Sequence, residues 1–205
     1  MPEQPTASRV PDLHKSAFWI YGVTAMVMRE PLSIVLHHAA TAGWADKGVQ
    51  MEAVRGLIVW LLLSRQFTVA GIYFDHVYVQ SDSALRFPKR SYPVDFMLGV
   101  IALLVSVGAS TIVGVSGPLF DVLVGLTLLW DLLWLAFAKA LGHSTVRFIA
   151  PAAYFNLGVL AVFWLVRAYF GPLAGYVALV LCGCIQMARL FANYNRVYAS
   201  TSVKD

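Results

Sequence analysis

Two arginines, a glutamate and an aspartate sit inside otherwise apolar stretches of this 205-residue chain. Arg29 and Glu30 interrupt WIYGVTAMVMREPLSIVLHHAA (residues 19–40), Arg65 stands beside Gln66, and Asp131 and Asn156 lie in two further stretches. Side chains of these types exchange protons, pair with ions or hydrogen-bond a polar solute. In an apolar setting each is costly: one charge at the centre of a membrane helix costs about 2.5–3.5 kcal/mol on insertion scales. Such groups face inward, pair with one another or line water, and so mark ion, proton and solute pathways. Arg29 and Arg65 balance Glu30 and Asp131. Neighbours on a helix point about 100° apart, so Arg29 and Glu30 do not face each other. Each needs a partner on another segment, and the neutral arrangement predicted is Glu30 with Arg65 and Arg29 with Asp131. Gln66 and Asn156 line the same site. The competing reading is a buried structural network that fixes helix packing.

Pro31 bears on the same stretch. It removes a backbone N–H and disfavours helical geometry at Glu30. Proline is also favoured in the first turn of a new helix. Two half-helices broken at Glu30 are therefore expected as one arrangement, with the second N-terminus a ready anion site. A simple proline kink is the other.

The elements that must position these groups are membrane spans. The chain is 59% hydrophobic and 13% charged, about half the charge of an ordinary soluble domain. Its apolar residues come in blocks near the roughly 20 residues a span requires. Six blocks are read: 17–40, 55–79, 94–115, 119–141, 147–168 and 172–193, with Gly117-Pro118, Gly142 and Gly171-Pro172 at junctions. With 1.5 Å of rise per residue, Arg29 and Glu30 lie about 18–20 Å from the inner edge, and Arg65 and Gln66 about 15 Å from the outer edge. Asp131 lies about 20 Å from the outer edge and Asn156 about 14 Å from the inner. All fall in the middle third of a hydrocarbon core about 30 Å thick.

Basic residues set the orientation. Arg9, Lys15, Arg86, Lys89, Arg90, Lys139, Arg147, Arg196 and Lys204 fall on one side of six spans, and Lys47, Arg55 and Arg167 on the other. By the positive-inside rule both termini are cytoplasmic. If residues 17–40 do not span, five spans remain and the bias weakens. The expected organisation is a cytoplasmic segment (1–16), one transmembrane domain (17–193) beginning with an uncleaved span, and a cytoplasmic tail (194–205). The net charge of +4 is explained by loop residues, and no basic run or motif points to nucleic acid.

Other residues that can carry chemistry are weighed in turn. Cys182 and Cys184, two apart on a helix, point to different sides and are read as small packing residues. His76 and His143 can reach one depth, as haem ligation requires, but no other feature supports haem; interfacial histidine is the reading. No metal or other cofactor is expected. The loop YFDHVYVQSDSALRFPKRSYPVDF carries Arg86, Lys89 and Arg90 and is a candidate docking surface for a cytoplasmic partner or lipid headgroups.

Gly114 to Gly117, GVSG, opens the fourth span. It resembles the G-x-S-G serine motif of the rhomboid intramembrane proteases, which also have six spans with both ends inside. That resemblance implies a serine activated by a histidine on the sixth span. Here the sixth span has none, and nearby Ala168 stands where one would be sought, so no dyad forms. An inactive relative is what the resemblance leaves.

The expectation is an all-α, polytopic helical bundle of about six transmembrane helices in a lipid bilayer, with a prokaryotic inner membrane its guessed location. The leading function is movement of an ion, proton or small polar solute through a midplane charged site, not an enzymatic one. Six short helices enclose only a narrow path, so a homo-oligomer is a natural expectation. The alternatives are a sensor or interaction subunit with a structural charge network, and a membrane-embedded enzyme.

Overall fold

A computed structural model of the chain describes residues 13–74, 92–114, 117–141 and 146–201. Six α-helices follow in order: α1 (Leu13–Ala42), α2 (Lys47–Phe74), α3 (Tyr92–Thr111), α4 (Gly117–Ala140), α5 (Val146–Phe170) and α6 (Pro172–Thr201). Among the described residues there is no strand.

Local chemistry ends and starts these helices. α1 stops at Gly43, whose positive φ of 82° suits glycine and whose N–H reaches the Ala39 carbonyl at 3.0 Å. Asp46 then caps α2, its Oδ1 accepting from the N–H groups of Gly48 at 2.7 Å and Val49 at 3.1 Å. α2 therefore begins well before residue 55, where its apolar block starts. Between α5 and α6 the chain turns on Gly171 (φ 90°), and Pro172 takes the first position of α6. α1 runs as one helix through Pro31, which is buried. Of the two arrangements open at Pro31, the break into two half-helices at Glu30 does not occur. A proline costs one hydrogen bond and crowds one carbonyl, and packing of the Pro31 face holds the helix continuous.

Three helices are long and apolar enough to cross a membrane: Gly117–Ala140, Ile149–Phe170 and Pro172–Leu190. Most of each lies on the outside of the molecule. Leu126, Leu133, Leu157, Trp164, Leu165, Leu181 and Ile185 are all exposed. Soluble monomers rarely expose so large an apolar surface, so this surface fits lipid. α1 and α2 are longer but carry charge in their middles, and the apolar part of α3, Met97–Thr111, is shorter.

The helices pack as a ring: α2 on α3, α3 on α4, α4 on α5, α5 on α6, and α6 back on α2. α1 lies outside it, against α2 and α3. Ile58, Val59, Leu63, Val124, Leu128, Val159, Phe163 and Leu179 fill the interior of the ring. Gly183 lets α6 approach α2, where an added Cβ would come 3.1 Å from Leu61 Cδ1. Small residues at such contacts allow close backbone approach in membranes, where packing rather than hydrophobic burial joins helices.

Candidate functional site

The α1–α2, α3–α4, α4–α5 and α5–α6 connections are short, and the contacts of Arg55 with Val113 and of Gln66 with Ser106 run α3 antiparallel to α2, so α1, α3 and α5 finish at the end where α2, α4 and α6 begin. Measured from that end, Asp131, Asn156 and Gln186 each lie about 21 Å along their helices, and Arg65 about 27 Å. Four helices thus bring long polar side chains to one level of the ring.

There they form a hydrogen-bonded ladder. Arg65 on α2 donates through Nη2 to Oδ2 of Asp131 on α4, closing a salt bridge. Asn156 on α5 donates through Nδ2 to the same oxygen at 2.9 Å. Gln186 on α6 donates through Nε2 to Asn156 Oδ1 at 2.7 Å. Asn156 is fully buried and Arg65 nearly so, at 0% and 5% exposure, so an unpartnered state of either would be costly. Gln66, next to Arg65, turns to α3 instead, where the Ser106 hydroxyl donates to its Oε1 at 2.5 Å.

On the near side of the ladder lies a cavity of about 20 Å³, lined by Leu61, Arg65, Leu128, Val159, Gly183 and Gln186 among others. That is room for about one water molecule. Arg65 and Gln186 are its polar floor, and its walls are aliphatic.

A second polar layer lies about 15 Å nearer the same end, ten residues up α4 from Asp131. Asp121 accepts from the Tyr176 hydroxyl at 2.6 Å and forms an ion pair with Arg167, whose Nη2 lies 2.9 Å from its Oδ2. Arg55 donates to the Val113 carbonyl at 3.1 Å, and its guanidinium lies 5.1 Å from the Tyr176 ring centre and 5.6 Å from that of Phe120. Tyr176 and Phe120 are fully buried. A third contact, His38 Nδ1 to Glu52 Oε2 at 2.7 Å, ties α1 to α2 at this end.

Of the residues singled out from sequence, Arg65, Asp131 and Asn156 come together, and Gln66 stands beside them on its own branch. Arg29 and Glu30 do not join. Both are exposed on α1, and neither has an ion-pair partner among the described residues. The expected pairs Glu30–Arg65 and Arg29–Asp131 are therefore corrected: Arg65 takes Asp131, because α1 lies outside the ring. Arg86, Lys89, Arg90, His76, His143 and Ser116 of the GVSG stretch lie outside the described residues. Both cysteines are free thiols. Among the described residues no three His, Cys, Asp or Glu side chains gather to hold a metal ion.

Sequence reasoning does not assign Gln186 or Ser106 to the site: Gln186 reads as part of a polar inner end of the sixth span, emerging at the headgroups, and the structure puts it on Asn156 instead. Gln186 stands at the same depth as Asp131, and counting rise from Pro172 finds it. Ser106 carries no such signal, since a serine within a helix usually bonds its own backbone; this one also reaches the Ala102 carbonyl at 3.0 Å. The second layer escaped because Arg55 and Arg167 fall near block ends and read as loop charges.

Compared with family models, characterised proteins and solved structures, the chain matches none.

Proposed function

We propose that this protein is a six-span membrane protein that moves a proton or another small ion across a bilayer through the midplane ladder. The observation that carries the reading is the chain of contacts Arg65–Asp131–Asn156–Gln186, which crosses the ring at mid-depth and borders a water-sized cavity. Ionisable groups at this depth are expensive to keep, and a relay is the use that repays them. Asp131 is the acceptor at its centre, Arg65 the counter-charge, and Asn156 and Gln186 the amides that hold and orient the carboxylate. The cavity is too small for a solute larger than water in this closed form, which favours a proton or a stripped small ion over a polar solute. Asp121, Tyr176, Arg167 and Arg55 form a second gate nearer the outer end, separated from the ladder by the aliphatic interior.

The second reading, a structural network within a sensor or interaction subunit, is favoured by the direct pairing of Asp131 Oδ2 with both Arg65 and Asn156. Reconstitution separates the two. Transport requires flux in the wild type that Asp131→Asn abolishes while the protein stays folded and monodisperse. The structural reading requires no flux in the wild type and loss of folding in Asp131→Asn, with Arg65→Gln/Asp131→Asn recovering stability.

A further inference from the structure

The exposed side of α1 presents charge where a lipid-facing helix should carry none. Arg29 and Glu30 stand within about 4 Å of the midpoint of Leu13–Ala42 along its axis, too deep for their side chains to reach either surface. The opposite side of α1, with Thr24, Pro31, Val35 and Ala39, is the buried one, packed toward α2 and α3.

We propose that this face of α1 is an interface between two copies of the chain, related by a two-fold axis along the membrane normal, with Arg29 of each copy paired to the partner subunit's Glu30. The geometry follows from helix periodicity. Arg29 and Glu30 point about 100° apart, so each lies about 50° from the direction that bisects them. When two parallel helices meet along that direction, a two-fold rotation sets the Glu30 flank of one against the Arg29 flank of the other, on both sides of the seam. The two residues differ in height by about 1.5 Å, so both ion pairs form at one depth. One charge-balanced pair of residues becomes two reciprocal ion pairs, and no charge remains toward lipid.

The seam itself fits close approach. Gly22, Met26, Ser33, His37 and Ala40 fall within about 30° of the bisector, and all five are exposed. Three of them are small, the residue class that lets membrane helices touch. The inference needs α1 in the membrane and does not depend on the transport reading.

The test is the oligomeric state in lipid nanodiscs, with no flux assay involved. In a background with Cys182→Ala and Cys184→Ala, Ser33→Cys is expected to give a disulfide-linked dimer on oxidation, and Val35→Cys on the buried side is not. Arg29→Glu alone and Glu30→Arg alone are each expected to reduce the dimer fraction about ten-fold by placing like charges together. The double exchange Arg29→Glu/Glu30→Arg restores it, which a general folding defect would not do. A wild type that stays monomeric at high protein-to-lipid ratio overturns the proposal and leaves the charges to water, lipid headgroups or another protein. A dimer that survives Arg29→Glu, or that does not cross-link through Ser33→Cys, overturns it as well.

Discussion

At the scale of single residues, the ladder is a set of mutual dependences. Asp131 accepts from both Arg65 and Asn156, so removing the guanidinium leaves a carboxylate with one neutral donor. Arg65→Met is expected to cost about 3–5 kcal/mol of stability, the usual consequence of breaking one half of a buried pair. Arg65→Gln/Asp131→Asn keeps a donor facing an acceptor without charge. A double-mutant cycle followed by unfolding in mixed micelles should return a coupling of about 1–3 kcal/mol; additive losses would contradict the direct pair. In the second layer, Tyr176→Phe deletes the hydroxyl donor to buried Asp121 and keeps the ring under Arg55. A loss of about 1–3 kcal/mol in the same assay is expected. Depth made Arg65, Asp131 and Asn156 legible in the sequence, because rise per residue is fixed. Azimuth did not follow: two groups at one height pair only if their helices are neighbours across the ring, and no residue count says that α1 lies outside it. That is why Arg29 and Glu30 were matched to partners they do not reach.

At the scale of elements, α5 and α6 are joined so tightly that little can change at their turn. A Cβ on Gly175 would lie 2.8 Å from Arg167 Cβ and 3.2 Å from its Cα. Gly175→Ala should force the two helices apart, lower stability by about 1–3 kcal/mol as overpacking does, and disturb the Arg167–Asp121 pair. Gly158→Ala on the same pair of helices meets nothing within 4 Å and should be neutral or slightly stabilising, since alanine is the better helix former. Thermal unfolding in detergent compares them directly, and equal behaviour would count against the packing described. The apolar blocks marked all six helices, and Gly171-Pro172 marked the turn between α5 and α6. The start of α2 was less legible: its first two turns are polar, and the Asp46 cap rather than hydropathy begins the helix.

At the scale of the molecule, three helices carry the membrane signal outright, and the apolar outer surface of the ring continues it. α1 and α2 dilute that signal with the polar groups that make them interesting. A helix with charge in its middle is the one whose membrane signal composition alone describes least well. If all six helices cross, the ends of the chain lie on one side. Single-cysteine variants at Arg9 and Val203, in a background free of native cysteines, should both be labelled by an impermeant thiol reagent only after the cytoplasmic side is opened; labelling from opposite sides would mean five spans. The two polar layers have aliphatic packing and a water-sized cavity between them. On the proposed transport reading, opening a path would mean parting Arg65 from Asp131 at one level or Asp121 from Arg167 at the other.

Proton flux into proteoliposomes under an imposed potential tests the central claim most directly, comparing the wild type with Asp131→Asn after both are shown to be inserted and monodisperse. Flux in the wild type that Asp131→Asn loses is the predicted result. A well-folded wild type that passes neither protons nor small cations, at either sign of potential, would contradict it, and the ladder would then stand as the structural lock of the ring.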